Sequence, residues 1–251
     1  DIQSVALSVT ALSEREIRDL GFSSSVDIGN QVPNLDFKTI GGVQNITVRG
    51  VGNNDFNPAA ISPVSIYRDG VVVGANAPQV FALLDLARIE VLRGPQGTLF
   101  GKNTTGGALQ YFSNLPGEET DGLIRVSYGR YDQIQLEAAA TFHLSDELSV
   151  RLAAMGQERD GFLTNVTTGD DYGEISEHAA RVIFRYATGN LDAKLFLGTG
   201  RSETDNNHVK VLGTLTGGTN IAGWNYPLFD DLDTYDFDGN SGNEIEDDYV
   251  T

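Results

Sequence analysis

The sequence predicts an α+β domain over residues 1–117, followed over residues 118–251 by antiparallel strands of an incomplete transmembrane β-barrel. Three observations predict this. As far as Pro116-Gly117, short β-like runs, a capped helix and glycine-dense turns are mixed as in one compact unit. From Leu123 to Thr199 apolar and polar residues alternate with period two, the signature of strands with two unlike faces. The connections between these runs are tight at one end and long and polar at the other, as in outer-membrane barrels.

Composition narrows the partners. The formal charge is -18 and there is no cysteine. The charge argues against nucleic acid as a partner. The cysteine count removes disulfides and thiolate metal sites. No apolar run approaches the roughly 18 residues of a membrane helix. The best, Val80 to Ala87, is short and carries Asp85. Barrel strands escape that test, because each gives a weak signal. The chain starts with Asp and shows no leader, so it reads as a mature or truncated piece. From Arg201 onward eleven acidic residues face two basic ones, which reads as a solvated, flexible tail.

In the first domain, Val5–Thr10 is a strand candidate. Ser13-Glu14-Arg15-Glu16 fits a capping box, opening a helix that runs to Leu20 and stops at Gly21. Asn45–Arg49 is the next strand candidate, and Val64–Arg68 pairs with Val71–Val73 across an Asp69-Gly70 turn. Pro78–Ala87 reads as a helix, and Ile89–Arg93 and Ala108–Phe112 as strands.

In the second part, five runs alternate: Ile124–Tyr128, Ile134–Leu144, Leu148–Ala154, Ala180–Tyr186 and Leu191–Leu197. One face is apolar and the other carries residues such as Arg125, Glu137, Arg151, Arg181, Arg185 and Lys194. Their lengths suit tilted strands crossing a bilayer. A soluble sandwich would also alternate. Connector asymmetry favours the barrel: Ser145–Glu147 and Thr188–Asn190 are tight, and Glu158–Glu177 is long.

Between the strands ending at Arg93 and starting at Ala108 lie five glycines, Gly94, Gly97, Gly101, Gly106 and Gly107. Gly101-Lys102 suggests a phosphate loop, but Gln96 stands where the first glycine belongs and Asn103 follows the lysine. No helix follows to supply a dipole. Gly50-Val51-Gly52 lacks the third glycine of a dinucleotide site. Glycines allow positive φ and close backbone approach, so these read as a tightly folded loop packed in a confined space.

Five stretches resemble, in order, the plug domain of TonB-dependent outer-membrane receptors. They are Val9–Ser13, Ile46–Gly50, Val64–Val71, Ile89–Gly101 (IEVLRGPQGTLFG) and Gly106-Gly107-Ala108. The resemblance implies a gated transporter, not an enzyme. Ligand binds between extracellular loops and the plug, and the TonB energy-coupling protein pulls on an N-terminal box. The implied ligands are chiefly ferric siderophores, with haem, cobalamin, other metals and oligosaccharides as variants.

By the same resemblance, the upper plug loops nominate Asn53, Asn54, Asp55, Phe56, Asn76, Phe100, Lys102 and Asn103 for ligand contact. Ordinary loop residues would account for most of these positions too. Phe100 stands where many relatives carry tyrosine, so it offers no phenol hydroxyl. Arg49 and Arg93 are implied to dock the plug on wall carboxylates outside this chain, with Glu90 as a local partner. In the acidic tail, Asp236, Asp238 and Asn240 begin like a calcium loop. Ser241 then replaces the usual glycine and Asp247 the usual glutamate. Glu203, Asp205 and His208 are further candidates for contact with a metal complex.

Family barrels have about 22 strands, and five do not close around a plug. The coupling box should precede the plug, and the chain begins at or just inside the first plug strand. The expectation is therefore a piece of a larger receptor lodged in outer-membrane lipid. The rival is a non-transporting surface β-protein, an adhesin or calcium-dependent binding module.

Overall fold

The computed structural model describes residues 8–22, 24–40, 43–53, 61–73, 83–165, 168–204, 236–237 and 245–250. Strand β1 (Ser8–Ser13) leads into helix α1 (Glu14–Asp19) through the expected capping box. The Glu16 amide donates to Ser13 Oγ at 3.4 Å, and the Ser13 amide donates to Glu16 Oε2 at 2.8 Å. Gly21, at φ 64, ends the helix. A second capped helix, α2 (Ser25–Gln31), and a hairpin of β2 (Leu35–Ile40) with β3 (Val43–Val48) follow. Then come β4 (Val64–Arg68), β5 (Val71–Val73), β6 (Leu86–Arg93), the one-turn helix α3 (Gly97–Phe100) and β7 (Gly107–Ser113).

Five of these strands form one sheet in the order β1-β6-β7-β4-β5, with β4 and β7 parallel and the other pairs antiparallel. The two helices and the β2–β3 hairpin cover one face. Ile17, Ile28, Val32, Phe37 and Ile46 pack there on Ile89, Val91, Leu109 and Tyr111. On the other face Phe100 closes over Tyr67, Leu92 and Ala108. The turn at Asp69 (φ 49) and Gly70 (φ 84) forms as expected.

The expected helix over Pro78–Ala87 is corrected at its end: residues 78–82 lie outside the described residues, Leu83 is helical, Leu84 and Asp85 form a turn, and Leu86 and Ala87 belong to β6. Asp85 adopts φ 48, which a helix interior does not allow, and Leu86 pairs with Ser113 of β7.

The second part is a six-stranded antiparallel sheet in the order β16-β14-β13-β10-β9-β8. Its members are β8 (Gly122–Tyr128), β9 (Ile134–His143), β10 (Leu148–Arg159), β13 (Ile175–Thr188), β14 (Leu191–Thr204) and β16 (Ile245–Val250). Short strands β11 (Leu163–Asn165), β12 (Asp171–Tyr172) and β15 (Asp236–Phe237) form a small sheet in the long connections. Tight turns at 144–147 and 189–190 lie at one end, and the connections 160–174 and 205–244 return at the other.

Burial decides between sandwich and barrel. The apolar set is the exposed one, with Ile124 at 79 %, Val126 at 69 % and Leu195 at 54 %. The polar set is buried and includes Glu137, Thr141, Arg151, Gln157 and Arg181, of which Glu137, Arg151 and Arg181 bond to the first domain. A soluble sandwich buries the apolar face; a barrel wall shows it to lipid. Among the described residues, no helix is long and apolar enough to cross a membrane.

Candidate functional site

The two parts meet at the turn that opens β6. Leu84 is fully buried in a socket of Ala139, Ala153, Met155 and Ala179, edged by Leu123. Small side chains on β9, β10 and β13 make room for one leucine. Beside it the Asp85 carboxylate is completely hidden from solvent. Arg151 Nε donates to Asp85 Oδ2 and Arg151 Nη2 to Asp85 Oδ1, both at 2.7 Å. This is the planar, two-pronged match that guanidinium makes with carboxylate.

The backbone of the same turn is held as firmly. The Asp85 amide donates to Glu137 Oε1 at 3.0 Å. Arg181 Nη2 donates to the carbonyls of Leu84 and Asp85, each at 2.9 Å. Asn114, after β7, donates its amide to the Asp85 carbonyl at 3.0 Å and its side-chain nitrogen to Oδ1 at 3.1 Å. The left-handed conformation of Asp85 is over-determined by these bonds.

Wall residues are fixed in turn. Arg125 Nη1 donates to Glu137 Oε2 at 2.6 Å. Arg151 Nη1 donates to Asp121 Oδ2 at 3.0 Å and to Thr141 Oγ1 at 2.8 Å. A hydrogen bond from Thr141, helped by Arg151, holds the Asp121 carboxyl below its usual value, against the opposing effect of burial. A cleft of about 450 Å³ opens at this seam, lined among others by Glu14, Arg18, Asn114, Glu118, Asp121 and Arg151.

The residues expected from sequence to contact ligand, or to dock on wall strands outside this chain, lie apart from this turn. Arg93 donates to Thr10 Oγ1 at 2.6 Å and to the Pro33 carbonyl at 3.2 Å, both inside the first domain. Glu90 pairs with Arg88 at 2.6 Å. Arg49 sits in a left-handed turn at φ 52 and is exposed. Among the described residues, none of the three has a hydrogen bond or ion pair to the wall strands. Phe100 packs on Tyr67 with ring centroids 5.1 Å apart, and its carbonyl accepts from the Tyr67 hydroxyl at 2.6 Å. Lys102 is exposed, and the Asn103 carbonyl accepts from Ser65 Oγ at 2.9 Å. Asn53 is half-buried. Asn54, Asp55, Phe56, Asn76, Asp205, His208, Asp238, Asn240 and Ser241 lie outside the described residues. Asp236 pairs its backbone with Thr164 as part of β15. No group of His, Asp or Glu able to hold a metal occurs among the described residues.

Sequence reasoning missed the Leu84–Asp85 turn. The signal was present: four arginines on the alternating polar face (Arg125, Arg151, Arg181, Arg185) need carboxylates, and Asp85 interrupts an apolar run.

Residues 1–108 match the family model of the TonB-dependent Receptor Plug Domain. The chain belongs to the TonB-dependent receptor family. The pesticin receptor of Yersinia pestis is 34 % identical over 173 residues, covering 66 % of this chain and 24 % of that receptor. The ferric yersiniabactin uptake receptor FyuA from Yersinia pestis superposes with a TM-score of 0.69 at 27 % identity, over 78 % of this chain and 31 % of that one. The pyoverdine receptor FpvA of Pseudomonas aeruginosa PAO1 shares the fold at a TM-score of 0.65 and 18 % identity, over 79 % of this chain and 28 % of that one. The chain spans about a quarter of the length of the curated relatives it matches. The first domain is thus a plug, the six-stranded sheet is barrel wall, and the protein is an outer-membrane one.

Proposed function

We propose that the chain is the gate and adjoining wall of a receptor that takes up a scarce ligand, a ferric siderophore, across the outer membrane. One observation carries this reading: a plug turn is locked by the buried Asp85–Arg151 pair into the polar face of a sheet whose other face is apolar and exposed. A domain held so inside a wall obstructs the lumen, and obstruction is useful only if it is released. The energy source is the TonB protein acting on the plug. The name of the ferric yersiniabactin uptake receptor supports an iron-chelate ligand.

The test uses the full-length gene product in cells stripped of their own iron receptors. Uptake of radio-iron chelates should be saturable and should disappear when TonB is deleted, while binding to the cell surface persists. Binding with no TonB-dependent uptake of any chelate would leave a surface-binding protein as the better account.

A further inference from the structure

The luminal side of the wall is laid out in cross-strand rows. One row joins Gln135, Gln157, Glu177 and Ser202 across β9, β10, β13 and β14. Ser202 Oγ donates to Glu177 Oε1 at 3.0 Å. Gln157 is only 4 % exposed, yet among the described residues its Oε1 has no hydrogen-bond partner. Four residues along β13 from Glu177, about 13 Å at strand spacing, stands Arg181, also 4 % exposed. Its Nη2 serves the plug turn, but among the described residues Nε and Nη1 have no acceptor. Buried polar atoms are nearly always paired, so two unmet stations on one side of a wall need an explanation.

What lies around them is small. Arg181 is flanked across the sheet by Ala153 and Gly198, and the row above holds Ala179 and Gly200. Glycine within a strand marks a place where another group approaches closely. Among the described residues, neither the plug socket, which ends at Ala179, nor the cleft at the seam is lined by Gly198, Gly200 or Gln157.

We propose that the ligand passes the plug along this β13–β14 side of the lumen. It moves from the acceptor row at Gln157 and Glu177 to the free donors of Arg181. The fitting ligand offers both kinds of group: amide, hydroxyl or positively charged donors for the upper row, and carboxylate or phenolate oxygens for the arginine. A chelate bearing anionic groups alone meets Glu177 as a barrier. The proposal rests on the uptake function above and adds its route.

The experiment uses the full-length gene product in iron-receptor-deficient cells. The probes are radio-iron complexes of yersiniabactin, a neutral trihydroxamate and a tricatecholate. Gln157→Leu and Gly198→Leu should leave surface binding in de-energised cells unchanged and reduce energised uptake by about tenfold, the scale of one lost or blocked charged hydrogen bond. As a second measurement, Ser202→Cys in an otherwise cysteine-free background should react with a membrane-impermeant thiol reagent only during uptake. Ser127→Cys, exposed at rest on β8, is the control that always reacts. Undiminished uptake in both leucine variants, or a Ser202→Cys thiol that stays unreacted during uptake, overturns the route while leaving the receptor intact. A wild-type protein that imports none of the three chelates removes the uptake reading itself, and the route with it.

Discussion

Asp85 and Arg151 join plug to wall through two hydrogen bonds of 2.7 Å, with the arginine side chain 4 % exposed and the aspartate fully buried. Such a pair contributes little compared with an apolar replacement, but losing one partner strands a charge. Asp85→Ala should therefore weaken plug docking by about 3–5 kcal/mol, while Asp85→Ala with Arg151→Met costs much less. Urea dependence of plug proteolysis in the full-length protein measures both. Additive losses in the double variant would mean that the two residues do not act as a pair.

Leu84 tests the socket separately from the charge. It is fully buried among Ala139, Ala153, Met155 and Ala179. Leu84→Ala should loosen the plug by about 2–5 kcal/mol, depending on how far the socket collapses. Ala153→Leu fills the same space from the wall and should cost about 1–3 kcal/mol through overpacking. Combining the two should recover part of the loss, because the added leucine occupies the vacated volume. The proteolysis assay reads all three variants.

Tyr111 gives the plug core an alkaline limit. Burial pushes its phenol up to about 12. Unfolded, a tyrosine ionises near 10, so the neutral phenol favours the folded state. The contribution is whole below about 10 and is lost as pH rises through about 12, at about 1.4 kcal/mol per pH unit within that window. Tyr111→Phe should flatten this decline in urea unfolding. If both proteins weaken equally over the window, the phenol is not the titrating group.

The fold was legible in the sequence where local chemistry determines local structure. Ser13 and Glu16 announce the first helix, Asp69-Gly70 announces a hairpin, and strict alternation announces the wall strands. The site was less legible because it is non-local. Arg151 and Arg181 reach Asp85 from 66 and 96 residues away. No spacing rule links them, and Asp85 sits in a run whose leucines fall at helical as well as strand-compatible positions. The family motifs drew attention to Arg49 and Arg93, which precede glycines at strand ends. For Arg93 the contacts are with Thr10 and Pro33, partners set by the plug's own topology. The helix α2 was missed because Val26, Ile28 and Gly29 give weak helical propensity; its capping box of Ser24 and Asp27 carries the signal instead.

The orientation of the wall yields the last prediction. Leu152 lies mid-strand on β10, facing Ala140 and Val182 across the sheet, and is 43 % exposed. In a soluble protein an arginine at such a position would be mild, since surface changes stay within about 0.5 kcal/mol. In a bilayer the same side chain enters hydrocarbon, and Leu152→Arg should cost about 2–4 kcal/mol near the midplane. Ser127→Arg, on the opposite face of β8 from Val126 and exposed to the lumen, should be close to neutral. Denaturant titration of the full-length protein folded into lipid vesicles compares them. A wall facing lipid requires the leucine position to be the sensitive one. Equal tolerance at both positions would contradict the membrane orientation, whatever the ligand.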